Sequence, residues 1–171
     1  AVAYTPGTPI LINFPVTIRA RVRVGTAWSA INEATFYPAQ DFSGLLVTEI
    51  MYNPLGVGAT TGDEFEFLEL KNAGTSTLDL SGTTFDGINF TFTNGTRLAP
   101  GQFFLLGRNA TTLGARYPGV VVNGIYTGRL DNSGETITLL HPLGTKLLSV
   151  DYKDGGKWPI TPDGFGFSLV P

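Results

Sequence analysis

The sequence has 171 residues, of which 42% are hydrophobic and 15% are charged, so the chain is long enough and apolar enough to bury a core. Its net charge is −3, and its 11 Lys and Arg residues are scattered apart from Arg19, Arg21 and Arg23, a distribution that disfavours nucleic-acid binding. The absence of Cys and the single His exclude a disulfide framework, thiolate metal ligands and a zinc site built from several His.

The first 41 residues predict short strands followed by a linker. Residues 16–24 (VTIRARVRV) alternate strictly between apolar and polar side chains, which is typical of a strand with one wet face. The three Arg residues lie on that wet face, where they either bind an acidic partner or keep an exposed surface soluble. Trp28 and residues 33–37 indicate one or two further strands. These few strands cannot close a sandwich on their own.

From Phe42 onward, apolar segments alternate with turns rich in Gly, Pro, Asn and Asp. Residues 109–117 are the one stretch expected to form a helical turn, and Pro118 ends it. The remaining segments predict an all-β sandwich with about nine strands, because turn signals recur between them every ~8 to 14 residues. The predicted strands are residues 45–52, 64–71, 78–85, 88–93, 102–107, 120–122, 135–140, 146–152 and 165–170.

Two parts of the sequence resemble known families. The segments EIMYNP, DEFEFLELKNAGTSTLDLSG, TRLAPGQFFLLGRN and GRLDNSGETITLLHPLGTKLLSVDY resemble the lamin tail domain, most closely its bacterial exported branch. That resemblance covers residues 42–171 and implies an immunoglobulin-like β-sandwich, with no catalytic residue to carry over. TIRARVRVGTAWSAINEATF resembles the last strands of the fibronectin-like module similar to the C-terminal domain of chitobiase and β-hexosaminidase. We therefore expect a partial fibronectin-like segment and linker in residues 1–41, followed by the lamin tail domain.

Carboxylates inside apolar runs are the main chemical signal. If the strands 45–52 and 64–71 are neighbours, Glu49 lies near Glu69 or Glu64, and two close carboxylates need a proton, a basic side chain or a cation. Oxygen ligands of this kind suit Ca²⁺, although the sequence has no D-x-D-x-D-G loop. The alternative is a set of surface carboxylates with salt bridges to nearby Lys or Arg. The candidate metal ligands are Glu49, Asp63, Glu64, Glu69 and Asp151.

Trp158 and His141 are the other candidate site residues. Trp158 lies in a Gly-rich loop, where an exposed indole would stack on sugar rings and a packed one would close the end of the sandwich. His141 lies near Asp131 and Ser133 in sequence, but no G-x-S-x-G elbow accompanies it, and we expect no enzymatic activity.

These observations favour a non-catalytic interaction or scaffolding module of a larger exported bacterial protein. We expect it at the cell surface or outside the cell, with its export signal outside this sequence. The expected partner is a protein or a surface polysaccharide, and neither nucleic acid nor a membrane span is expected. The alternatives are a carbohydrate-binding module that uses Trp158 and a calcium-stabilised spacer. No cofactor is expected unless the carboxylates bind Ca²⁺.

Overall fold

Two units make up the chain in the computed structural model, which describes residues 2–171. The first unit ends at Gln40, and the second runs Asp41–Pro171. The predicted boundary lies between Asp41 and Phe42.

The first unit contains two antiparallel strand pairs. β1 (Val16–Ala20) pairs with β4 (Asn32–Phe36), and β2 (Arg23–Val24) pairs with β3 (Ala27–Trp28). The prediction of one strand over residues 16–24 is wrong, because the strand stops after Ala20. There the N–H of Val22 donates to the Ser29 Oγ at 2.9 Å, so a side chain replaces the backbone ladder.

The three arginines of the first unit all have partners within that unit. Arg19 forms an ion pair with Glu33, which lies opposite it on β4. The guanidinium groups of Arg21 and Arg23 lie 4.1 and 5.4 Å from the ring centre of Trp28. Stacking of this kind is a cation–π contact, so these side chains are part of the local structure of the hairpin.

The second unit is an all-β sandwich of the immunoglobulin-like type. One sheet has the strand order β11-β10-β6-β5, a second has the order β13-β12-β8, and β7 and β9 form a separate pair. The strands of residues 41–171 are β5 (Leu45–Met51), β6 (Phe67–Asn72), β7 (Leu78–Asp79), β8 (Thr84–Asp86), β9 (Arg97–Leu98), β10 (Phe103–Gly107), β11 (Gly124–Ile125), β12 (Thr136–Leu140) and β13 (Lys146–Asp151).

The main core joins the two larger sheets. Leu68 and Leu70 of β6 and Leu106 of β10 belong to the same buried cluster as Ile137 and Leu139 of β12. All five side chains are inaccessible to solvent. Burial of alternate residues from facing sheets is what the alternating sequence pattern predicts, and it supplies most of the stability of such a sandwich.

Three predicted strands are not strands in the structure. Residues 88–93 make single bridges only, because Gly87 turns the chain with a φ of 104°. Residues 120–122 do not form a strand, and the short β11 begins at Gly124 instead. Directly before β11, the Oδ1 of Asn123 accepts a hydrogen bond from the Leu105 N–H. Residues 165–170 form one bridge, Ile50 with Leu169, because positive φ angles at Gly164 and Gly166 interrupt an extended backbone.

The predicted helical turn is confirmed as α1 (Ala110–Arg116). It begins at Asn109, whose Oδ1 accepts hydrogen bonds from the N–H groups of Thr111 and Thr112 at 3.0 and 3.3 Å. Leu113 anchors it in a smaller buried cluster with Met51 and Phe67. The helix therefore packs against the face of the four-stranded sheet that does not belong to the main core.

The predicted strand over residues 64–71 is wrong at its start. Gly62–Phe65 form a 3₁₀ turn, and the strand begins at Phe67. Tertiary contacts favour the turn, because Glu64 Oε2 accepts a hydrogen bond from Asn109 Nδ2 at 2.8 Å and Arg116 lies 3.5 Å from the ring centre of Phe65. No helix within residues 2–171 has the length and apolar character needed to cross a bilayer.

Candidate functional site

A β-bulge in β5 decides which side chains reach the outer face of the four-stranded sheet. The pairing with β6 shifts register between Val47 and Glu49. Val47 packs against the main core, and so does Ile50, so one extra residue lies between them. Regular alternation with Ile50 and Tyr52 would turn Leu46 toward the core, but its side chain is exposed. Glu49 and Met51 point to the outer face.

Glu49 and Glu69 lie directly opposite each other on β5 and β6, as expected for neighbouring strands. Both side chains are half-buried. Glu69 Oε1 accepts a hydrogen bond from Thr48 Oγ1 at 2.7 Å, and Glu49 Oε1 accepts one from Ser168 Oγ. Two like charges that face each other destabilise a strand pair. The hydroxyl groups of Thr48 and Ser168 are neutral, so they do not offset the negative charge of either carboxylate.

A cavity of about 330 Å³ opens beside the two carboxylates. We call it the outer groove. It is formed by the outer face of the four-stranded sheet, by α1 with the residues after it, and by the tail segment 166–168. Its lining residues are Glu49, Met51, Phe67, Glu69, Leu105, Leu113, Tyr117, Val120, Gly166, Phe167 and Ser168. Apart from the two carboxylates and the hydroxyl groups of Tyr117 and Ser168, the lining side chains are apolar.

The two carboxylates of the outer groove form no ion pair with a residue of the described chain. Within residues 2–171, no basic nitrogen lies within 4.0 Å of either groove carboxylate, since the ion pairs there join Arg19 to Glu33, Arg129 to Asp63, and Lys153 to Asp151. The second oxygen of Glu49 and of Glu69 accepts no hydrogen bond from the same residues. The groove therefore offers two carboxylate oxygens to an incoming group.

The other predicted metal ligands lie apart from this pair. Glu64 accepts from Asn109, Asp63 lies 4.0 Å from Arg129, and Asp151 lies 3.3 Å from Lys153. In the part of the chain that the structure describes, no three His, Cys, Asp or Glu side chains come together in a way that could hold a metal ion. The structure brings together only Glu49 and Glu69 of the five candidates, and calcium binding stays a prediction.

Trp158 is half-buried and packs against the main core. Its backbone N–H donates to Gly155 O at 3.4 Å, which closes the loop that carries it. This placement is the one expected for an indole that covers the end of the sandwich. Sugar binding by Trp158 stays a prediction.

Glu66 is a buried carboxylate that was not among the predicted site residues. It is buried at the start of β6, where its Oε2 accepts hydrogen bonds from Tyr126 Oη and Leu130 N–H, both at 2.9 Å. Its Oε1 has no hydrogen-bond partner among residues 2–171. Burial raises the pKa of Glu66 to about 7, although the two hydrogen bonds act in the opposite direction. The sequence did carry a signal for the burial of Glu66, because Glu66 alternates with Leu68 and Leu70, which face the core.

Buried tyrosines extend this polar cluster. Tyr152 Oη donates to Asp131 O at 2.8 Å and lies 3.1 Å from Glu135 Oε1. Burial raises the pKa of both Tyr126 and Tyr152, so both phenols stay protonated and act as hydrogen-bond donors. Because Glu66 is only 1% exposed, its contacts fasten the segment from Tyr126 to Leu130 to the sandwich and give it no access to an external substrate.

The family model of the lamin tail domain matches residues 38–154, which is more than half of the chain. The chain belongs to the lamin tail domain family. Lamin tail domains are non-enzymatic β-sandwich modules that often serve in interactions. Neither a curated protein nor a solved structure matches the chain. In this lamin tail domain, Glu49 and Glu69 of the outer groove lie within the matched residues, and the groove wall at residues 166–168 lies after them.

Proposed function

We propose that this lamin tail domain is a non-catalytic interaction module of a larger exported bacterial protein, located at the cell surface or outside the cell. Its outer groove binds a partner protein or surface polymer. In this proposal, the first unit is the end of a fibronectin-like module that precedes the domain. The observation that carries the proposal is the outer groove itself, an open apolar cavity with two carboxylates that form no ion pair in the described chain.

Exposed apolar side chains beside the groove support this proposal. Phe165 and Phe167 are 64% and 62% exposed, and Phe167 also lines the groove. Leu55 is exposed as well, and a Cβ on Gly166 would lie 3.6 Å from its Cδ1. Apolar side chains gathered at one place on a surface are typical of a binding site, because their burial on contact releases free energy.

A peptide-display experiment tests the groove as the contact surface. Random peptides are selected on the immobilised chain, and the affinity of each is then measured for the unmodified protein and for Val120→Trp, which fills the groove. Val121→Trp is the matched control, because Val121 is 71% exposed and does not line the groove. We expect peptides whose binding falls at least tenfold in Val120→Trp and stays unchanged in Val121→Trp. Selected peptides that bind all three proteins equally would contradict the proposal.

Carbohydrate binding is the second candidate, and it rests on the part of the half-buried Trp158 side chain that solvent reaches. The test is a glycan array probed with the unmodified protein and with Trp158→Ala. An array without binding, or binding that survives the substitution, removes this candidate.

The calcium-stabilised spacer is the third candidate, and it rests on the opposed Glu49 and Glu69. It predicts a melting temperature that is higher in millimolar Ca²⁺ than in EDTA, with the difference lost in Glu49→Gln and Glu69→Gln. Equal melting temperatures in the two buffers would eliminate it.

A further inference from the structure

We propose that the outer groove binds a Lys or Arg side chain of a partner polypeptide, with the cationic head between Glu49 and Glu69 and the aliphatic stem on the apolar floor. This inference rests on the proposed interaction function and specifies the chemistry of the partner.

The charge argument begins with the opposed carboxylates. On adjacent antiparallel strands, the Cβ atoms of directly paired residues are about 4.5–5.5 Å apart, so two ionised groups at such positions repel each other. In residues 2–171, each of these carboxylates has one hydroxyl donor and no basic nitrogen within 4.0 Å, and Lys71, the basic residue next along β6, lies over the ring of Phe103. A cation placed between them would interact with both free oxygens and remove the repulsion, which a neutral or anionic group cannot do.

The apolar floor selects the kind of cation. Met51, Phe67 and Leu105 continue the groove away from the carboxylates. A bare metal ion gains nothing from such a surface, and no third acidic side chain completes a metal site in the described chain. Lys and Arg carry a charged head on a stem of three or four methylenes, which matches a charged end next to an apolar channel.

The size of the surface favours a polypeptide over a free small cation. The cavity volume of about 330 Å³ is at the low end of ligand pockets, so it accommodates one or two side chains. The exposed Phe165, Phe167 and Leu55 extend the apolar surface beyond the groove, where residues next to the inserted Lys or Arg would pack.

Three probes of six carbons each test the inference directly. Hexylammonium, 1-hexanol and hexanoate are titrated into the ¹⁵N-labelled chain, and binding is measured from the amide shifts of Glu69, Phe167 and Ser168. We expect hexylammonium to bind about fivefold more tightly than hexanol or better, and hexanoate to bind least. The advantage of hexylammonium over hexanol should shrink in Glu49→Gln and in Glu69→Gln and disappear in the double variant. Both substitutions retain an acceptor for the Ser168 and Thr48 hydroxyls.

Asp86→Asn is the matched control, because Asp86 is an exposed carboxylate on β8 of the other sheet and should not change the ratio. Equal binding of hexylammonium and hexanol in the unmodified protein overturns the inference. A second outcome would overturn the inference but not the proposed function. It is that displayed peptides with neither Lys nor Arg bind the groove, as shown by loss of their binding in Val120→Trp. If hexylammonium binds as expected but no displayed peptide responds to Val120→Trp, the proposed function fails while the cation site remains.

Discussion

The buried Glu66 makes the stability of the second unit depend on pH. Its ordinary pKa is 4.5, and burial raises it to about 7 in the folded protein. Between these two values the folded chain holds a proton that the unfolded chain has released. The stabilising contribution is therefore fully present below pH 4.5 and is lost as the pH rises through 7. A Glu66→Gln substitution removes this titration while keeping an oxygen that accepts from Tyr126 and Leu130.

The magnitude follows from the two pKa values. They differ by about 2.5, and each pKa unit corresponds to about 1.4 kcal/mol, so the free energy of unfolding should fall by roughly 3 kcal/mol across this range because of Glu66 alone. Replacing one carboxyl oxygen by an NH2 group also changes the free energy of unfolding, but by an amount that does not depend on pH. We therefore expect the stability of Glu66→Gln, relative to the unmodified protein, to rise by roughly 3 kcal/mol between pH 4.5 and pH 8.

Urea unfolding at several pH values measures this difference. Trp158 fluorescence in a Trp28→Phe background reports on the second unit, because Trp158 packs against its core. Tyr126→Phe provides a second check, since loss of the hydroxyl donor should raise the pKa of Glu66 further and move the pH midpoint upward. A difference between Glu66→Gln and the unmodified protein that stays constant within about 0.5 kcal/mol from pH 5 to pH 8 would refute this reasoning.

Three further predictions concern the packing and backbone of the second unit, all measured by urea unfolding. Leu106→Ala should cost about 2–5 kcal/mol because Leu106 is fully buried, whereas Leu143→Ala, at an exposed position, should change stability by less than about 0.5 kcal/mol; equal effects would contradict the core assignment. Asn109→Ala should cost about 1 kcal/mol through loss of the helix cap, and an unchanged midpoint would mean that the cap contributes nothing. Gly134→Ala should destabilise the protein far more than Gly128→Ala, although both glycines have positive φ angles. A Cβ on Gly134 would lie 2.4 Å from Tyr152 O, whereas a Cβ on Gly128 would meet no atom within 4 Å. Similar costs for the two substitutions would refute the predicted clash.

Local patterns were sufficient where a segment's structure depends on its own residues. β12 and β13 were predicted to within a residue because alternation and the turn around Gly144 define them. The start of α1 could be predicted because Asn109 is a favourable cap, and Pro118 follows its end.

Long-range contacts decided the segments that were predicted wrongly. The 3₁₀ turn at Gly62–Phe65 depends on Asn109, which is distant in sequence. The bulge in β5 depends on Thr48, whose hydroxyl bonds to Glu69 on the next strand. A bulge changes which residues face the core, so simple alternation assigned Leu46 to the wrong side.

The candidate site also has features that the sequence could predict and features that depend on long-range contacts. A carboxylate of the next strand beside Glu49 could be expected from two adjacent strands, but the sequence left Glu69 and Glu64 open, and the observed register selects Glu69. The walls of the outer groove could not, because they come from α1 and from the tail, whose positions require the folded chain. Glu66 was visible as a carboxylate among core positions, but sequence alone does not tell whether such a residue is buried or faces solvent at a strand end.

The tail that forms one wall of the outer groove is held by a short series of hydrogen bonds and by Leu169, which is buried in the main core. Leu169 exchanges two backbone hydrogen bonds with Ile50, of 2.7 and 2.8 Å, and Asn53 binds Asp163 and the Gly164 N–H. The tail makes an antiparallel bridge from Leu169 to Ile50 of β5 and a parallel bridge from Asp163 to Asn53. A pulling force applied at Leu45 and Pro171 therefore reaches the bonds of Leu169 before those of Asp163. Bonds that break in sequence resist force less than bonds that share the load. Tension in this direction would therefore act on the tail first, and it would shift Phe167 and Ser168 once Leu169 leaves the main core.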